Sequence, residues 1–125
     1  MARLKTKVRA SALIRRAQEA GAFAAVLRRG DPDAGALWVI TRKGAELFRY
    51  TEVMGMSGER EWYQDGPFEE AELHLKTNKA VDRDPDLWIV EVEDREGRAF
   101  LDGEVSKLQQ ESEAEAAAKA LFQGR

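Results

Sequence analysis

Cysteine is absent from the 125 residues, and histidine occurs once, at His74. A disulfide framework, a thiolate nucleophile and a cysteine-based zinc or iron–sulfur centre are therefore excluded. A serine triad would need His74 beside Ser11, Ser57, Ser106 or Ser112, and no nucleophile-elbow pattern surrounds any of them. His74 follows Glu70 by one helical turn, but one histidine and one acid do not make a metal site, so a solvated helix face is expected there. Neither Gly-x-x-x-x-Gly-Lys-Ser/Thr nor Gly-x-Gly-x-x-Gly occurs, so no phosphate-cradling loop is expected. No apolar run reaches the roughly 18 residues that span a bilayer. The N-terminal stretch is basic but leads into an amphipathic segment rather than an apolar one. No signal peptide and no membrane association are expected, and the expected compartment is the cytoplasm.

What is present is charge, and it is unevenly placed. The net charge is −3, yet residues 1–30 alone carry +7, from eight Arg or Lys against Glu19, and the other residues carry −10. A split of this kind marks either a polyanion-binding face or a basic segment that pairs with the acidic one, within the chain or across a homo-oligomer. Internal pairing is the favoured reading, because no aromatic residues are interleaved with the basic ones as single-strand binders require.

Hydrophobic periodicity predicts an α+β fold. "RLKTKVRA" alternates, with Leu4, Thr6, Val8 and Ala10 on one side and Arg3, Lys5, Lys7 and Arg9 on the other, which predicts an edge strand. Ser11 then caps a helix with Leu13, Ile14 and Ala17 at helical spacing and Gly21 at its C′ position. The nearly continuous apolar run from Ala22 to Arg29 predicts a strand inside the sheet. "ALWVIT" and "AELFRYTEV" around Arg42–Gly44 predict a hairpin, and "REWYQ" a further short strand, so residues 22–64 read as an antiparallel meander. Gly66-Pro67 predicts the start of a helix with Phe68, Ala71 and Leu75 as its buried stripe, ended by Asp84-Pro85-Asp86. "LWIVEVED" is a strand, and "RAFL" is expected to return beside it. The Ala/Glu-rich residues 104–125 form a C-terminal helix or tail with few apolar positions; Ser106 and Gln109 give it a capping box. The expected architecture is a single α+β domain over residues 3–103, with a mostly antiparallel sheet of five to seven strands and two packed helices on one face.

"RRGDPDAGA" and, later, "DPDLWIVEVED" form an ordered pair of segments. On these, and on "RLKT" and "VRASALIRR" before them, the chain from about residue 3 to 101 resembles the short alphaproteobacterial proteins grouped as domain of unknown function 1491. The resemblance implies a small bacterial cytoplasmic protein. It implies no activity, cofactor or catalytic residue.

The residues themselves offer three candidate sites. Asp31, Asp33, Asp84 and Asp86, in the two Asp-Pro-Asp units, would suit a hard cation such as Mg²⁺ or Mn²⁺ if the strands after them run parallel and adjacent. The competing reading is that each unit only ends one segment and starts a strand. Arg28 and Arg29 before Gly30 would receive a phosphate or carboxylate, or pair with neighbouring aspartates. Trp62 and Tyr63, between a glycine-rich connector and Gly66-Pro67, are candidate interface anchors, or else packing residues. No catalytic residue is assigned and no cofactor is expected beyond that cation. The favoured reading is a non-enzymatic binding or accessory protein with a protein partner, using Arg15, Arg16, Arg28 and Arg29 as an electrostatic face and Trp62 and Tyr63 as anchors. The alternatives are nucleic-acid binding through the basic segment and a divalent-metal-dependent enzyme using the Asp-Pro-Asp carboxylates.

Overall fold

The computed structural model describes residues 4–106. Helix α1 (Thr6–Glu19) is followed by strands β1 (Phe23–Arg28), β2 (Leu37–Lys43), β3 (Glu46–Met54) and β4 (Arg60–Phe68), helix α2 (Glu70–Arg83) and strand β5 (Trp88–Glu93). The strands form one mixed sheet in the order β1-β5-β2-β3-β4. Only β2 and β5 are parallel; the other pairs are antiparallel. The α+β class and the mostly antiparallel sheet follow the sequence reading.

Four local expectations do not survive. The stretch from Thr6 to Ala10 is not an edge strand but the first turns of α1. Its buried residues, Thr6, Arg9, Ala10, Leu13 and Ala17, recur at helical spacing, which requires counting a threonine and an arginine as interior. Strand β1 is not interior: β5 inserts between it and β2, so there is no meander from residue 22 to 64. The Gly66-Pro67 peptide is cis and lies within β4, so α2 begins later, with Glu69 as N-cap and Glu70 and Glu72 in its first turn. The acids sit where the helix dipole favours them. The buried residue of α2 is Leu73, and Leu75 is 63% exposed. Finally, Arg98–Leu101 forms no strand. Residues 107–125, with most of the expected C-terminal helix and Gln109 of its capping box, lie outside the described residues.

The helices do not share a face. Alternate residues of β2 and β5 point to opposite sides. Leu37, Val39, Trp88, Val90 and Val92 pack with Ala10, Leu13 and Ala17 of α1. Ile40, Leu87 and Ile89 pack with Leu73 of α2 and Leu47 of β3. Covering both faces requires strands apolar on both sides, which is what the continuous run "LWIV" provides. The fold is therefore a sheet between two single helices. Each helix spans 14 residues. At about 1.5 Å per residue that is roughly 21 Å.

Candidate functional site

The two Asp-Pro-Asp loops meet, because the strands they lead into are neighbours and parallel, with Leu37 beside Trp88. They meet through backbone. Asp31 N–H donates to the Asp86 carbonyl at 3.0 Å, Trp88 N–H to the Ala36 carbonyl at 2.8 Å, and the Trp88 indole N–H to the Asp31 carbonyl at 2.7 Å. A Cβ on Gly30 would stand 1.9 Å from the Asp86 carbonyl oxygen, and one on Gly35 2.2 Å, so both positions need glycine. The same loop caps α1: Thr6 and Lys7 N–H donate to the carbonyls of Asp33 and Pro32, and the Thr6 hydroxyl donates to the Gly35 carbonyl at 2.6 Å.

The aspartate carboxylates are mostly spent on their own turns. Asp31 Oδ2 accepts from the Asp33 and Ala34 N–H groups, and Asp84 Oδ1 from the Asp86 N–H. Asp33 faces Lys5 at 3.5 Å. Among the described residues no three histidine, aspartate or glutamate side chains gather as a metal ion would need. The loops converge, and the four acids do not.

The four arginines form no common face. Arg15 and Arg16 are on α1, and the Arg16 guanidinium donates twice to the Phe100 carbonyl, at 2.7 and 3.1 Å. Arg29 lies over the Trp88 ring, on the α1 side. Arg28 is on the other side. A register shift between Val26 and Arg28 places Arg28 opposite Ile89, whose side chain faces α2. A bulge of this kind re-aims the side chain that follows it. Trp62 is no exposed anchor: it is 2% exposed and donates its indole N–H to Asp102 at 3.2 Å. Tyr63, next along β4, is 40% exposed.

Arg28 opens onto a concave feature beside α2. A cleft of about 810 Å³ runs between α2 and the β1–β5–β2 part of the sheet. Its apolar surface comes from Leu27, Ile40, Leu73, Val81 and Ile89, and α2 adds His74, Thr77 and Asn78. Arg42 also reaches it, but is fully engaged: Nη1 and Nη2 donate to Glu70 and Nε to Glu91, each at 2.8 Å. Those hydrogen bonds hold the Glu70 carboxyl below its usual range. Arg28 is not fully engaged. Nη2 donates to the Pro85 carbonyl at 2.8 Å, while Nε is buried with no hydrogen-bond partner among the described residues. The cleft wall on α2 was not legible as a site, since Thr77, Asn78 and Val81 read as an ordinary helix. No sequence signal marks the bulge.

Arg9 is the second group missed. It is 9% exposed on the α1 side, and donates to Asp102 from Nε (2.8 Å) and Nη2 (3.2 Å) and to Glu52 from Nη1 (3.0 Å). Its guanidinium lies over the Trp62 ring, 5.7 Å from the centroid. Burial favours neutral Asp102, but the hydrogen bonds and charge of Arg9 outweigh it and hold the carboxyl below its usual value. The network ties α1 to the segment after β5, which then runs along the outer edge of β4. There Trp62 N–H donates to the Glu104 carbonyl and Ser106 N–H to the Trp62 carbonyl. Arg9 and Lys5 thus spend part of the N-terminal positive charge on acids of the same chain.

No helix among the described residues is long and apolar enough to cross a membrane. No curated protein matches the chain. A crystal structure of a DUF1491 family protein from Caulobacter crescentus CB15 is 41% identical, with a TM-score of 0.77, over 83% of this chain and all of that one. An NMR structure of a DUF1491 family protein from the same organism is 39% identical, with a TM-score of 0.75, over 86% of this chain and all of that one. The solution structure of a protein from A. tumefaciens is 32% identical, with a TM-score of 0.70, over 82% of this chain and 95% of that one. The family model for the protein of unknown function DUF1491 matches residues 4–102, and the chain belongs to that family.

Proposed function

We propose that the protein is a non-enzymatic binding protein that receives a protein partner on the α2 face, at the cleft and the β1 edge beside it. The observation that carries this reading is apolar surface left uncovered there. Phe23 is 65% exposed and Leu27 57%, and Leu27 lines the cleft. Single exposed apolar side chains are ordinary, but a pair on one strand face that continues into a half-apolar cleft is a contact surface. The anchors on this reading are Phe23 and Leu27, with Arg28 as the charged group; Arg15, Arg16 and Arg29 lie on the opposite side.

Site-specific photo-crosslinking tests it. A benzophenone amino acid in place of Phe23, in cells that make the protein naturally, should give one dominant protein adduct. The same probe in place of Arg15 should not give that adduct. No adduct from position 23, or the same adducts from both positions, would refute the reading.

A further inference from the structure

The sheet has two edges, and only one is protected among the described residues. At β4 the chain covers its own edge: Val105 bridges to Trp62 in parallel, and the hydrogen bonds of Trp62 with Glu104 and Ser106 occupy the ladder. At the other edge, β1 pairs with β5 alone. Natural edges are blunted by charge, by proline or by bulges that spoil pairing. The run "FAAVL" of Phe23–Leu27 has no charge and no proline. Its register with β5 is regular from Phe23 to Val26, and the bulge comes only before Arg28. That bulge leaves most of the edge fit for pairing and turns one cation onto the face that carries Phe23 and Leu27.

We infer that the partner supplies an extended acidic segment, added as a strand along β1, whose carboxylate is received by Arg28. This rests on the α2-face reading above and names its occupant. Strand addition takes affinity from main-chain hydrogen bonds and specificity from alternate side chains. Here the alternate positions would lie against Phe23 and Leu27, which calls for β-branched or aromatic residues. The position opposite Arg28 calls for Asp or Glu. Opposed residues on neighbouring strands stand about 5 Å apart, within ion-pair reach. Arg28 has the capacity. Its Nη groups carry hydrogens beyond the one given to the Pro85 carbonyl, and these can take a carboxylate. Arg42, the other cation at the cleft, is closed by Glu70 and Glu91, so the acid preference belongs to Arg28.

The test is selection of a random octapeptide library against the full chain, followed by synthesis of the enriched peptides. The expected peptides alternate β-branched or aromatic residues and carry one Asp or Glu. Their amide shift changes should map to Phe23–Arg28, and a central proline should abolish binding. Arg28→Gln should weaken the acidic peptide about tenfold, as loss of a charge-assisted hydrogen bond predicts, and leave its amide analogue unchanged. Phe23→Thr, which leaves Arg28 intact, should weaken both peptides alike and guards against a folding defect in the first variant. Enriched peptides without an acid, binding indifferent to Arg28→Gln, shift changes away from β1, or no enrichment would each overturn the inference. So would sedimentation as a dimer that Leu27→Asp dissociates, since a second copy would then hold the edge. If crosslinking from position 23 still captures a protein in any of these cases, the strand-addition inference fails and the α2-face reading stands.

Discussion

Replacing Arg9 with methionine keeps an unbranched apolar stem and removes the cation that bridges Glu52 and Asp102, leaving Glu52 with Arg60 at 3.5 Å. The side chains of Arg9, Glu52 and Asp102 are 9%, 12% and 32% exposed. Removing one member of a buried ion pair costs about 3–5 kcal/mol, because the partner charge stays buried. Asp102 retains access to water, which lowers the penalty, so the expected loss is about 2–4 kcal/mol. For a domain of this size that corresponds to a fall in Tm of roughly 10–20 °C. Urea unfolding of Arg9→Met, Asp102→Asn and the double variant measures it. Coupling of about 1–3 kcal/mol between the two sites is expected, since Asn no longer needs the cation. The pH dependence follows with a definite sign. Asp102 is more acidic folded than unfolded, so its contribution is present above its unfolded pKa, near 4, and is lost as the pH falls below that. Arg9→Met should flatten that acid limb. It should also speed hydrogen exchange at Trp62 and Ser106 N–H, whose bonds depend on the segment that Arg9 holds. A loss below about 0.5 kcal/mol with no coupling would refute the argument, placing Arg9 among surface ion pairs, which contribute little.

Three further outcomes are expected. Leu73→Ala should cost about 2–4 kcal/mol in chemical unfolding and Leu75→Ala less than about 0.5, reversing the order that the Phe68–Ala71–Leu75 stripe predicts. Gly30→Ala should lose at least about 2 kcal/mol, or fail to fold, because the added Cβ meets the Asp86 backbone rather than a side chain that can move; thermal melting reads it. Asp94 accepts hydrogen bonds from the Glu96 and Arg98 N–H groups and the Arg98 guanidinium. The Arg98 side chain first, then its N–H, draws the carboxyl well below its ordinary value. Its contribution is therefore held above about pH 4 and lost on acidification below that, and Asp94→Asn should remove this dependence from an acid titration followed by NMR.

The two Asp-Pro-Asp units show how far the sequence reaches. Proline restricts φ locally and aspartate accepts from N–H groups two and three residues on, so both units read as turns that start strands, and Asp31 and Asp84 do close such turns. Whether the two turns touch depends on β2 and β5 lying side by side in parallel, and these strands are about 50 residues apart in a chain whose other strand pairs are antiparallel. No local signal sets that. The cleft and the open edge have the same origin. Once β5 inserts beside β2, β1 is pushed to the rim, and a run that reads as interior becomes an edge with Phe23 and Leu27 exposed. The bulge that turns Arg28 belongs to the pairing with β5 and not to β1 alone.

By itself the sequence determined what depends on neighbours along the chain. It set the strand segments of β1, β2, β3 and β5, the Gly21 stop after α1, and the exclusion of thiol and cysteine-metal chemistry. Tertiary structure alone decided where polar residues could be interior. Thr6 to Ala10 satisfies both a two-residue and a helical period, and helix prevails because Thr6 meets the Gly35 carbonyl and Arg9 meets Glu52 and Asp102. A buried charge is tolerable only beside its partners, and those of Arg9 lie 43 and 93 residues away.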